Sequence, residues 1–198
     1  MKTNIKETMR QHAIWIDSLG KQSRQLNLDE AVFTGENWCN INLADSYIIE
    51  CQFDNMILKN VDLYFSKMYS SVFKSSNIQD STFVKAELDY STFYNCYLRN
   101  VDFSKSSLMD SVFCNVRITD AQFINVGLEN ASFQDSYLEN MDFSGAYLEN
   151  TYFGSDICMQ DIQGLEDAHI GSINLGTRDR FEQLLGENAL QYLKDTVK

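Results

Sequence analysis

The sequence predicts an all-β solenoid, and three observations carry that prediction. A large apolar residue recurs at every fifth position from Leu28, Phe33, Trp38, Leu43, Ile48 and Phe53 through to Phe143, Leu148 and Phe153, 26 in a row without an insertion. Two residues before most of these stands a small one, as at Ala31, Ser46, Cys51, Ser66, Ser71, Ala86, Ser91, Ala121, Ser136 and Ala146. Two residues after many of them stands Asn, as at Asn55, Asn60, Asn95, Asn100, Asn115, Asn125, Asn130, Asn140 and Asn150.

Neither the 3.6-residue period of a helix nor the 2-residue period of a flat strand produces a step of five. In an extended segment, residues two apart share a face, so each small residue and its large neighbour point inward together while the flanking residues meet water. The fifth residue then turns the chain, a corner that suits Asn because its short amide bonds local backbone and tolerates unusual φ/ψ. Each pentapeptide is one side of a polygon. Turns stacked at ~4.8 Å pair their backbones and bury one continuous apolar column.

These residues resemble the pentapeptide repeat family, whose motif is A(D/N)LXX, as in AYLEN at 146 to 150 and VDFSK at 101 to 105. The match covers residues 26 to 155, with bulky inward exceptions at Leu26, Ile41, Met56 and Met141 and acidic ones at Glu36 and Asp156. The resemblance implies a right-handed quadrilateral β-helix with four pentapeptides per coil. On that count one wall collects Phe33, Phe53, Phe73, Phe93, Phe113, Phe133 and Phe153 as structural core, facing Leu43, Leu63, Phe83, Phe103, Phe123 and Phe143. The remaining walls are mainly aliphatic. The regular rod is then roughly 31 Å long at ~4.8 Å per coil.

A solenoid needs both ends covered, because an open coil presents unpaired strand edges. Residues 1–24 read as an amphipathic helical cap: Asn4 and Glu7 form a capping-box pattern, and Ile5, Met9, Ala13 and Ile16 make one stripe before Gly20. Residues 25–176 form the repeat body. The step of five slips after Phe153 and resumes at Leu165, Ile170 and Leu175, which predicts a loop or bulge over 156 to 163 and one last partial coil. Residues 177–198 read as a C-terminal helical cap or dimerisation segment, with Gly186 breaking two short helices. A homodimer through this segment is implied by resemblance to topoisomerase-protecting relatives.

Composition bounds the function. A chain of 198 residues with 44% hydrophobic content suits one folded domain. Its formal net charge of −12 repels phosphate backbones, so no direct nucleic-acid partner is expected. No apolar run reaches the ~20 residues of a membrane span and no secretory signal opens the chain, so no membrane association and a cytoplasmic location are expected. The five cysteines are widely spaced without a CxxC pair, which argues against a disulfide framework or zinc.

No cofactor is expected and the reading is non-enzymatic. His12 and His169 lie in opposite ends of the scheme, and each reads as structural. The repeat serines are inward spacers with no His to activate them, and no glycine-rich phosphate loop is present. Asp89 and Asp110 can face each other across coils, but a solvated acidic wall contains such pairs without any chemistry.

Surface charge is the informative remainder. Residues 118 to 177 hold ten acids and no Lys or Arg, whereas residues 28 to 117 hold twelve acids and seven bases. The wall from Leu28 to Leu148 carries eight acids, among them Glu87, Asp89, Asp110, Glu129 and Glu149, against Lys67 alone. One explanation is solubility. The resemblance supplies another: Qnr-type members are acidic rods that imitate DNA, bind DNA gyrase or topoisomerase IV, and protect them from drugs or toxins. The alternative from a different class is a protein-interaction scaffold or effector module working through an aromatic patch at Tyr64, Phe65 and Tyr69, which point outward or sit at a corner.

Overall fold

The computed structural model describes residues 5–154, 156–176 and 182–198. It is a right-handed β-solenoid of about seven turns with a helix at each end. One wall is a seven-stranded parallel sheet formed by Asn37–Asn42, Ile57–Asp62, Asn77–Thr82, Tyr97–Asp102, Arg117–Thr119, Tyr137–Asp142 and Cys158–Gln163. A second wall runs from Val32–Thr34 through Gln52–Asp54, Val72–Lys74, Thr92–Tyr94, Val112–Cys114, Ser132–Gln134 and Tyr147–Tyr152 to His169–Asn174. The other two walls pair through shorter segments, such as Asn27–Asp29 with Tyr47–Ile49, and through single bridges.

The pairing register gives the coil its length. Leu58 lies beside Ile78, Ile78 beside Leu98, and Phe93 beside Phe113, each twenty residues apart. Four pentapeptides therefore close one turn. Phe53, Phe73, Phe93, Phe113 and Phe133 stack with centroid separations of 4.7, 4.8, 4.8 and 4.9 Å and interplanar angles of 10° or less. The opposed column tilts more, with 41° between Phe103 and Phe123, and its rings meet the first column edge-on, as at Phe93 and Phe103. Both geometries suit the ring quadrupole. The inward serines are largely satisfied: Ser71 Oγ donates to the Ile48 carbonyl at 2.8 Å, and Ser91 Oγ to that of Met68 at 2.9 Å.

Every fifth residue from Glu30 to Asn150 has a positive φ, with glycine at Gly35 and Gly145 and other residues at the rest. Asn, Asp and Gly tolerate this region best. The corner amides bond differently from the expectation of local backbone contacts. They reach one coil away, Asn60 Nδ2 donating to Asn40 Oδ1 at 2.8 Å and Asn100 Nδ2 to Asp80 Oδ1 at 2.9 Å. An axial amide ladder thus runs along each Asn-rich edge.

Helix α1 (Ile5–Asp17) closes the first coil. Ile5 and Met9 pack on the core, but Ala13 is exposed and His12 is the residue completely buried. The imidazole wins that place because the first coil leaves a donor that an alanine could not satisfy: His12 Nδ1 accepts the Leu26 N–H at 3.0 Å. Asn4 of the expected capping box lies outside the described residues. Glu7 instead accepts two hydrogen bonds from the Arg10 guanidinium and one from Gln11.

The slip after Phe153 is a single extra residue. Tyr137 pairs with Cys158 and Leu138 with Met159, a spacing of 21, so of the loop or bulge expected over 156 to 163 the structure has a one-residue slip with Cys158–Gln163 as a paired strand, and Met159 fills the core. The next coil pairs at a spacing of 22, Tyr147 with His169, with irregularities on both sides of Glu149. The C-terminal segment also differs from two helices. Gln183–Leu185 is an antiparallel strand on His169–Asn174, and only Gly186–Thr196 is helical (α2). Residues 177–181 of the expected segment lie outside the described residues. Helix α2 turns Ala189 and Leu193, both completely buried, onto the last coil. Lys198 then donates its N–H to Met159 O, and its own carbonyl accepts from Asp161 N, adding the chain end to the first sheet.

Candidate functional site

The acidic wall is built on columns whose members sit one coil apart. Parallel pairing fixes the spacing, so carboxylates at the same place relative to a corner align along the axis, as Asp89, Glu129 and Glu149 do one residue before Tyr90, Asn130 and Asn150. Each of the five acids has its own environment. Glu87 lies 3.3 Å from Lys67 across one coil. The Asp89 carboxylate accepts the Met109 N–H at 3.0 Å and the Ser107 hydroxyl, which fixes it against the wall. Asp110 sits at a corner with φ 56°.

Glu129 and Glu149 follow in one column, and glycines make room for both. Glu129 Oε2 lies against Gly127, is closed off from solvent and makes no hydrogen bond among the described residues. Glu149 Oε1 accepts the Ser172 hydroxyl at 2.8 Å, while Oε2 occupies the space that a Cβ on Gly171 would take. Gly127 and Gly171 were not singled out from the sequence. A signal for Gly127 was available in the repeat, since it falls in the outward column Tyr47, Lys67, Glu87, Ser107, Tyr147 and His169, whereas Gly171 lies in the irregular stretch beside Glu149, outside any regular column.

Other acids of the C-terminal coils face solvent, Asp120 accepting from Asn140 Nδ2 at 2.8 Å and Asp161 from Gln160 Nε2 at 3.3 Å. Asp120, Asp135, Asp156, Asp161 and Asp167 are exposed. Glu139 is held by Arg117 at 2.8 Å and Glu166 by Lys194 at 2.9 Å. The Lys194 ammonium also holds the Glu166 carboxyl below its ordinary pKa, chiefly through that hydrogen bond.

The aromatic residues sit on a different part of the surface. Tyr64 and Phe65 are exposed, with ring centroids 6.3 Å apart, whereas Tyr69 is half-buried on the neighbouring wall. Phe65 is 48% exposed and uncovered by either helix. Among the outward tyrosines, Tyr137 carries the Arg117 guanidinium 4.0 Å above its ring, and Tyr147 stacks on His169 at 4.4 Å. Cross-coil packing therefore occupies both.

The histidines are far from a shared role: His12 is buried under α1, and His169 is exposed against Tyr147. Among the described residues no three His, Cys, Asp or Glu side chains are placed to hold a metal ion. No described helix is long and apolar enough to cross a membrane. The five cysteines are free, and burial raises the Cys96 thiol to about 11, which leaves it protonated and unreactive.

Comparison with known proteins fits this geometry. A solved structure of trypsin-treated QnrB1, a plasmid-mediated fluoroquinolone resistance protein, superposes with a TM-score of 0.65 at 15% identity, over 77% of this chain and 76% of that one. HetL, a pentapeptide repeat protein involved in heterocyst differentiation regulation in the cyanobacterium Nostoc, aligns at 13% identity over 82% of this chain and 95% of its own, with a TM-score of 0.27. A pentapeptide repeat protein of the Arabidopsis thaliana thylakoid lumen aligns at 16% identity over 67% and 72%, with a TM-score of 0.28. No curated protein matches the sequence. A family model for the pentapeptide repeat region matches residues 46–123 and 86–157, more than half of the chain, and the protein belongs to the pentapeptide repeat family.

Proposed function

We propose that this chain is a non-catalytic binding rod whose acidic C-terminal coils stand in for duplex DNA on a type II topoisomerase, DNA gyrase or topoisomerase IV, and so protect it from a drug or toxin. The supporting observation is charge density. Residues 118 to 177 carry ten acids and no Lys or Arg over about three coils, or roughly 14 Å of axis at ~4.8 Å per coil. With Glu139 paired to Arg117 and Glu166 to Lys194, eight remain uncompensated, one negative charge per ~1.8 Å against the ~1.7 Å of duplex DNA. The fold likeness to QnrB1 is consistent with the reading.

A rigid anionic column would enter a basic DNA-binding saddle and displace its counterions, so binding should weaken steeply as salt rises. A supercoiling assay with purified gyrase, with and without a quinolone, tests this. Inhibition of supercoiling or relief of quinolone poisoning is expected. No effect on either, together with no salt-sensitive binding, would end the DNA-mimic reading.

The exposed pair Tyr64 and Phe65 favours a second reading, a scaffold that grips a protein partner through its aromatic edge. Exchanging Asp135, Glu149, Asp156 and Asp161 for Lys abolishes binding under the first reading, whereas exchanging Tyr64 and Phe65 for Ser abolishes it under the second.

A further inference from the structure

Two exposed apolar side chains sit together in the middle of an acid-lined edge. The edge between the Leu28 and Phe33 walls turns at residues 30, 50, 70, 90, 110, 130 and 150, and Tyr90 stands where the other corners are Glu, Ser, Asp or Asn. Its φ of 62° lies in the left-handed region, which Asn tolerates and a bulky ring does not favour. Tyr90 is 64% exposed, and its side chain has no hydrogen bond or ring contact among the described residues. Strain by itself does not single it out, because Phe65 holds a φ of 55° on another edge. Its surroundings do so: Phe65 lies against Tyr64, which carries the Lys85 ammonium, whereas Tyr90 stands between Asp89 and Asp110.

Asp89 and Tyr90 clasp one residue of the neighbouring coil. The Asp89 carboxylate accepts the Met109 N–H at 3.0 Å, and the Tyr90 N–H donates to the Met109 carbonyl at 2.9 Å. The Met109 side chain is thereby presented on the coil next to Tyr90, 40% exposed. An apolar patch already fixed through its backbone loses little conformational freedom when a partner covers it. The corner column and the column one residue before it hold seven acids and no Lys or Arg between Asp29 and Asn150. Asp110, Glu129 and Glu149 carry that stripe from the patch into the C-terminal coils.

Charge alone leaves the position of the rod on a partner undetermined. Carboxylates recur along the axis at ~4.8 Å per coil, so an acidic stripe shifted by one coil meets a basic groove almost as well. An apolar anchor at one place removes that degeneracy, and Tyr is prominent among the side chains that carry binding energy at interfaces. We propose that Tyr90 and Met109 are the apolar anchor of the topoisomerase-binding face, entering a hydrophobic pocket beside the basic saddle and fixing the axial register of the rod upon it. This anchor rests on the DNA-mimic function proposed above and supplies its specificity. Its occupant is a Lys- and Arg-rich protein surface with an apolar recess, since carboxylates flank the patch along both columns.

Equilibrium titration of the full-length chain against purified gyrase and topoisomerase IV, and in parallel against poly-L-lysine, separates anchoring from charge. Tyr90→Asn and Met109→Gln should each weaken enzyme binding at least about tenfold. Neither removes a charge, so the salt dependence of binding and the affinity for poly-L-lysine should stay as in wild type. Tyr90→Phe should keep near-wild-type affinity. Asn also relieves the corner, so the thermal midpoint of Tyr90→Asn should match or exceed that of wild type, which excludes misfolding as the cause. A wild type that binds either enzyme no more tightly than Tyr90→Asn and Met109→Gln do would overturn the anchor and leave the DNA-mimic reading standing. Equal weakening toward enzyme and poly-L-lysine would overturn the anchor as well. A wild type that binds neither enzyme in a salt-sensitive way would sink the DNA-mimic reading, and the anchor with it.

Discussion

His12 Nδ1 accepts the backbone N–H of Leu26 at 3.0 Å, so a side chain of α1 closes the first open edge of the solenoid. Burial pushes the His12 pKa down from its ordinary value of 6.5, a shift that a nearby Ala44 carbonyl and Asp45 only partly oppose. The neutral ring is the one that can accept. The unfolded chain binds a proton in the window below 6.5 that the folded chain refuses, so folding weakens as pH falls through that window and is fully supported above it. The protection factor of the Leu26 amide, observed exchange corrected for its intrinsic slowing in acid, should fall between about pH 7 and about pH 5. His12→Ala should cost about 1–3 kcal/mol above about pH 7 by orphaning that donor, and less as pH falls, so that the variant's stability depends less on pH.

Phe93 is completely buried, stacks on Phe73 and Phe113 at 4.8 Å and meets Phe103 edge-on. Neighbouring coils cannot collapse onto a void without breaking their own ladders. Phe93→Ala should therefore cost about 3–5 kcal/mol in chemical denaturation. Phe33→Ala should cost less, because Phe33 lies in the first coil with a neighbour on one side only. Equal losses at both sites would contradict this account.

The corner residue Asn100 has φ 52° and donates to Asp80 Oδ1. Asn100→Val puts a β-branched residue into the left-handed region and removes the amide ladder, a loss of about 1–2 kcal/mol or more. Asn100→Gly loses the ladder but relaxes the backbone, and should fall within about 1 kcal/mol of wild type. Thermal or denaturant midpoints rank the pair.

Two glycines near the C-terminal coils should respond oppositely to alanine. A Cβ on Gly164, whose φ is +76°, would collide with the Ser144 backbone nitrogen, which has nowhere to go. Gly164→Ala should lower the thermal midpoint markedly. A Cβ on Gly171 would meet the far end of the Glu149 side chain, which can swing out. Gly171→Ala should leave the midpoint nearly unchanged, break the hydrogen bond from Ser172 and release Glu149 to solvent; under the proposed DNA mimicry it should not weaken gyrase binding.

The Phe ladder and the corners were legible in the sequence because one residue of every five has no alternative: an inward Phe133 or a turning Asn130 satisfies a rule repeated at fixed spacing. What defeated the reading was chemistry outside the repeat. Ala13 lost its place in the helical stripe to His12 because the first coil needed an acceptor, a demand visible only once Leu26 N–H is known to be orphaned. Met159 displaced Cys158 because one inserted residue preserves pairing where a hydrophobic count alone sees a break. Gln183–Leu185 contains good helix formers yet pairs as a strand because the last sheet edge offers it hydrogen bonds. The glycine floors under Glu129 and Glu149 went unnoticed because a missing side chain matters only through its neighbour.

Among the described residues, each lid is seated on the coil it closes: α1 through His12 on Leu26 at one end, α2 and Val197–Lys198 on the last coil at the other. A tandem duplication or deletion of twenty residues within the regular coils would leave both lids seated and every wall in phase. Length is consequently a character that evolution can alter in whole turns without redesigning the ends, and with it the number of charges the protein lays along a partner.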